Sequence, residues 1–139
     1  MKKYIVPVII LCCFFFLLGM GDLGGGPTPI DKIPTPEKNY SAGVIDRVGV
    51  QTNLQSFSSE GKIFLSGNYG SASITIPFEK IGEIQFQGAE GNEMGVIVLL
   101  RDQKTIQVKI DKRAKFFGKT EFGTYQIEAK DLKSIRFLF

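Results

Sequence analysis

From Ser41 to the C-terminus, apolar residues recur at every second position, and that period decides the fold class. Ala72, Ile74 and Ile76 alternate with Ser71, Ser73 and Thr75; Ile106, Val108 and Ile110 alternate with Thr105, Gln107 and Lys109. A strand that buries one face and wets the other requires this spacing, whereas a helix would need a repeat near 3.6. Ile84 and Phe86, and then Ile135, Phe137 and Phe139, continue the alternation. The run from Met94 to Leu100 lacks it and reads as a strand covered on both faces. Only single turns, at residues 77–81 and 129–132, suit a helix. The expected fold class is all-β: a small barrel or two-sheet sandwich of about eight short strands built from two similar units.

Those units show in the sequence itself. Tyr69-Gly70 and Phe122-Gly123 each precede an isoleucine, Ile74 or Ile127, by the same spacing from the aromatic residue. Each copy then closes on an Ile/Leu-x-x-Ile-x-Phe pattern, Ile81, Ile84 and Phe86 or Leu132, Ile135 and Phe137. Gly43-Val44-Ile45 and Gly95-Val96-Ile97 mark the two starts, giving repeat units of about 43–88 and 95–139. In this reading Phe116 and Phe117 fall where the first copy has Ile63 and Phe64, so they belong to the core. The G-x-x-x-I…I-x-x-I-x-F pattern resembles one recurring in uncharacterised bacterial exported β-repeat proteins. The resemblance covers roughly the last hundred residues; it implies an exported β module and carries no activity or site residues.

The N-terminus has a different chemistry. Lys2 and Lys3 precede an uncharged, almost wholly apolar run from Tyr4 to Met20, and Gly19 and Gly21 flank Met20 in small-x-small spacing. The expectation is a signal peptide over 1–21, cleaved near Gly21, with a retained N-terminal anchor as the alternative. Residues 22–40 are rich in Gly and Pro and read as a linker; residues 41–139 form the all-β domain. Cleavage would remove both cysteines, Cys12 and Cys13, and leave 15 basic against 14 acidic residues.

Composition narrows the chemistry. With no histidine anywhere, and with its only thiols in the signal, the mature chain is expected to hold no metal, no cofactor and no thiol nucleophile. Ser59-Glu60-Gly61-Lys62 has the S-x-x-K spacing of acyl-transfer enzymes, but Gly61 and the apolar residues after it oppose the helix that mechanism needs. Glu90, Asn92 and Glu93 lie in a Gly-rich stretch without the regular spacing of a calcium loop, so a hairpin turn is expected. The C-terminal strand resembles the terminal strand of outer-membrane barrels, yet the domain is too short for eight spanning strands.

Charge is uneven. Residues 101–119 carry seven basic and two acidic side chains, and Lys109, Lys112, Arg113, Lys115 and Lys119 are the candidate anionic-partner surface. The plainer alternative is a solvated strand face whose cations pair with Glu121 and Glu128 across strands. The expected function is that of an exported, periplasmic or extracellular, non-catalytic β module that binds or scaffolds in the cell envelope. Its partner would be an anionic envelope component or another protein. Nucleic acid is not expected, and membrane contact only through a retained anchor. Two alternatives stay open: a subunit of an envelope assembly joined by strand-edge pairing, such as through residues 135–139, and a carboxylate- or Lys-dependent hydrolase.

Overall fold

The computed structural model describes residues 32–139; the expected signal peptide over 1–21, both cysteines and the first part of the expected linker lie outside them. The chain runs through β1 (Ser41–Asp46), β2 (Gln51–Ser59), β3 (Phe64–Tyr69), β4 (Ala72–Pro77) and β5 (Ile81–Glu90). It continues through β6 (Glu93–Leu100), β7 (Thr105–Asp111), β8 (Lys115–Lys119), β9 (Thr124–Glu128) and β10 (Leu132–Leu138). Single 3-10 turns at Phe78–Lys80 and Ala129–Asp131 fall where the sequence allowed a helical turn. The class is all-β. The strands are ten rather than eight, and they form one antiparallel sheet curled into a half-barrel rather than a closed barrel or a two-sheet sandwich.

The strand order is β4-β3-β7-β6-β5-β10-β1-β2-β8-β9, and it reads alike from both edges inward. Each half has a hairpin at the edge, a 3-10 turn leading to the central seam, and a second strand pair filling the gap. Across the seam β5 meets β10, and Ile84 lies directly opposite Ile135. The sequence units nevertheless do not fold separately. β1 and β2 pair with β10 and β8, while β6 and β7 pair with β5 and β3, so each unit completes the other's half.

The positions that correspond are also not the ones the aromatic-Gly pairs suggest. Leu65 faces Ile76 on β3–β4 just as Phe116 faces Ile127 on β8–β9, which fixes one constant offset. By that offset Phe122 corresponds to Ser71 at a turn tip, where it is 89% exposed, and Tyr69 corresponds to Thr120. Only Gly70, with φ of 61°, takes the left-handed conformation its hairpin turn asks for; Gly123 does not. Phe116 is buried as expected, but its neighbour Phe117 alternates to the half-buried outer face.

The inner face is filled by side chains. Phe57, Phe78 and Phe116 are wholly buried, with Phe57 stacked on Phe116 at 5.8 Å and Phe78 packed on Phe137 at 4.8 Å. Burying each such ring contributes about 1.5–3 kcal/mol. Tyr40 closes one side of the cluster edge-on to Phe78 at 5.8 Å, and its carbonyl accepts the Phe57 N–H. The Asn39 carboxamide oxygen accepts the N–H of Ser56, a residue at φ 51° in the β2 bulge. On β6 the inner residues Met94, Val96 and Val98 are buried, whereas Ile97 and Leu99 on the outer face are only half-buried. That strand is therefore not covered twice: its outer apolar residues lie between Gln85 and Gln107, and between Glu83 and Thr105. β10 is a central strand, paired with β1 up to Leu138 and with β5 over Ser134–Arg136, so the segment 135–139 does not form an outer edge of the sheet. Among the described residues the outer strands of the sheet are β4 and β9.

Candidate functional site

The five candidate cations are divided between two strands and the turn joining them. Lys109 stands on the outer face of β7, opposite Gly95 of β6 and Asn68 of β3. Lys112 and Arg113 form the β7–β8 turn, in which the Asp111 carboxylate accepts the Arg113 N–H at 2.9 Å. The same turn is pinned at Lys112, whose N–H donates to the Asn92 carbonyl and whose carbonyl accepts the Lys130 N–H. Lys115 opens β8 opposite Glu128, and Lys119 ends it between Gln55 and Thr124.

Carboxylates stand beside several of these cations. Glu60 accepts the Lys115 N–H at 3.4 Å, and with Lys62, Asp111 and Arg113 it lines a hollow of about 210 Å³. A larger hollow of about 630 Å³ at the tip of the β5–β6 hairpin is lined by Gln87, Glu90, Asn92, Glu93 and Lys109. The expected cross-strand pairing to Lys115 or Lys109 does not form. Glu128 instead pairs with Lys130 at 3.3 Å, because the 3-10 turn folds that lysine back over β9. Chemically, the region can offer alternating charges to a zwitterionic or polar partner rather than a continuous cationic platform.

The remaining motifs resolve into turns. Ser59 and Lys62 exchange backbone hydrogen bonds of 2.9 and 3.0 Å, with Glu60 and Gly61 at φ of 55° and 86° between them. This is a two-residue hairpin turn of the primed kind, and it does not bring the Lys62 amine onto the Ser59 hydroxyl as a helix would. Glu90 lies directly opposite Glu93 at a turn whose Gly91 has φ of 61°. Among the described residues, no three acidic or sulfur groups stand together as metal ligands. Tyr125, half-buried on β9, has its hydroxyl pKa raised above the usual value by burial and, secondarily, by the Asp46 carboxylate.

Two arginines that charge counting alone does not single out hold the framework. The Arg47 guanidinium donates to the carbonyls of Lys130 at 2.9 Å and Gln87 at 2.7 Å, and its N–H donates to the Asp131 carbonyl. Arg101 does the same in the other half: its side chain donates to the Glu79 carbonyl and its N–H to that of Lys80. Its guanidinium also covers the Phe139 ring at 4.0 Å. Arg101 thus belongs to this clamp and not to a free basic surface. The signal in the sequence is faint, because β6 is two residues longer than β1 and shifts the second arginine out of the offset.

A sheet that matches from both edges, filled by side chains and held by paired arginine clamps, defines an all-β module. Residues 36–138 match a family of uncharacterised proteins, and the chain belongs to that family. No curated protein and no solved structure matches it.

Proposed function

We propose that the protein is an exported, non-catalytic β module that binds or scaffolds in the cell envelope, in the periplasm or outside the cell. The observation that carries this reading is the filled inner face. Twenty apolar side chains form it, and Ser58 is its only fully buried polar residue among those described. Acids and bases therefore lie on the outer face and the turns, where a surface can meet a partner but offers no enclosed place for reaction. Lys2 and Lys3 and the apolar run from Tyr4 to Met20 that follows them support the export half of the reading.

The test uses the full chain with a cysteine at exposed Gln103 and serines at positions 12 and 13. A thiol reagent that does not cross the inner membrane should label it in intact cells; labelling only after lysis overturns export. Replacing Lys112, Arg113 and Lys115 together by Ser and measuring binding to anionic glycans and to anionic vesicles tests the partner surface. Turnover of ester, amide or phosphoester substrates that falls with Glu90→Gln or Glu93→Gln would overturn the non-catalytic half. A second reading, an assembly subunit joined through a strand edge, is favoured by the two unpaired edges of the half-barrel.

A further inference from the structure

The two edges of the sheet are guarded very differently. β9 carries Glu128, which is held in an ion pair with Lys130. β4 carries nothing comparable: from Gly70 to Phe78 there is no charged residue, and its only proline, Pro77, closes the strand. Edge strands are ordinarily protected by charge, by a central proline or by a bulge, and β4 has none of these within its pairing to β3.

We infer that β4 is an interface and that its occupant is β4 of a second copy of this chain, added antiparallel across a two-fold axis through Ile74. This rests on the strand-edge reading above and is independent of export. The β3–β4 hairpin closes on Tyr69 opposite Ala72 around a two-residue turn. In the antiparallel alternation Ala72, Ile74 and Ile76 therefore direct their backbone groups at β3, and Ser73 and Thr75 direct theirs outward. Centring the axis on Ile74 sets Ser73 of each copy against Thr75 of the other, for about four hydrogen bonds between chains.

The side chains agree with that register. Ser73 and Thr75 meet on the outer face, while Ala72 meets Ile76 and the half-buried Ile74 meets its own counterpart on the inner face. No like charges oppose one another, because β4 carries no charged side chain. The chain already uses such a joint at its own centre. β5 and β10 occupy corresponding places in the two halves and pair antiparallel, Ile84 against Ile135. A β4–β4 joint repeats that arrangement between molecules and, being two-fold, closes at a dimer rather than growing into a filament.

The experiment uses the full chain in mild detergent, at a large excess of micelles over protein, with serines at positions 12 and 13. Ile74→Cys should oxidise to a dimer on a non-reducing gel, because residues opposite in a non-hydrogen-bonded pair lie within disulfide reach. Gln126→Cys, on β9, should stay monomeric. Adding Thr75→Pro to Ile74→Cys removes an outward N–H without touching the ladder to β3, and should abolish the cross-link. The double change Ser73→Lys/Thr75→Lys, which retains every backbone donor, should abolish it too. A monomeric Ile74→Cys overturns the proposal, as do a cross-link that survives the blocking changes and equal cross-linking from Gln126→Cys. Slow amide exchange at Ser73 and Thr75 in a monomeric chain would overturn it as well, showing the edge covered by another segment of the same molecule. Each result leaves the export test untouched.

Discussion

Gly67 and Gly118 hold corresponding places on β3 and β8, and each lets its strand lie against a neighbour with no room for a side chain. A Cβ on Gly67 would stand 2.5 Å from Val108 and 2.6 Å from the Lys109 carbonyl; one on Gly118 would stand 2.8 Å from the Leu54 side chain. Gly67→Ala should therefore lower stability by about 1–3 kcal/mol, measured as a reduced urea midpoint, while Gly123→Ala, which meets open space, should leave it within about 0.5 kcal/mol. Turn backbones give the opposite sign. Gln103 sits at φ 76° where the corresponding turn of the other half has Gly49 at φ 95°. Relieving that left-handed strain with Gln103→Gly should raise the thermal midpoint, by an amount equivalent to about 0.5–1 kcal/mol. Tyr125 adds a pH dependence. Its folded pKa lies above the unfolded value of 10.0, so the folded state keeps the proton longer than the unfolded one does. That contribution is complete below pH 10.0 and is lost as pH rises through the folded value. Denaturant midpoints measured upward from pH 9 should fall, and Tyr125→Phe should flatten the fall.

At the level of elements, the arginine clamps tie each β-hairpin turn to the 3-10 turn of the same half. Arg47→Ala leaves the Lys130 and Gln87 carbonyls without their donor, and should cost about 1–2 kcal/mol of unfolding free energy. Arg47→Lys should recover little, since one ammonium cannot reproduce the forked geometry that meets two carbonyls. Alternation made the strands legible in the sequence: Ile76, Val108, Ile110, Ile135 and Phe137 are buried, and Ile74 packs half-buried against them, as their spacing required. Pairing was not legible. The period of two tells which face of β1 is buried, and says nothing of whether its neighbour is β10, more than eighty residues away in the chain. Met94–Leu100 misled for a related reason: Ile97 and Leu99 suit a strand between polar neighbours on an open face as well as one covered twice. Likewise the charge run from Arg101 to Lys119 is continuous in sequence, yet the turn at Lys112 and Arg113 carries it from β7 in one half to β8 in the other.

For the whole molecule, the ends of the domain are neighbours: Ser41 lies opposite Leu138, just as β5 and β6 lie side by side with a turn between them. Joining Phe139 to Tyr40 by a short linker and opening the chain at Gly91 would exchange the roles of the two halves. Such a permuted chain should fold to the same sheet, checked by a cooperative thermal transition and an unchanged far-ultraviolet circular dichroism spectrum. The exchange of strands between units also governs the order of assembly during synthesis. When β1 and β2 leave the ribosome they can form a hairpin with one another, but β8 and β10, which flank them, are made only after β3 to β7. Phe57 must wait for Phe116 and Phe137, and an isolated hairpin is marginal in water. High contact order of this kind slows folding, so the strands made first wait for β8 and β10 before their shared core can close.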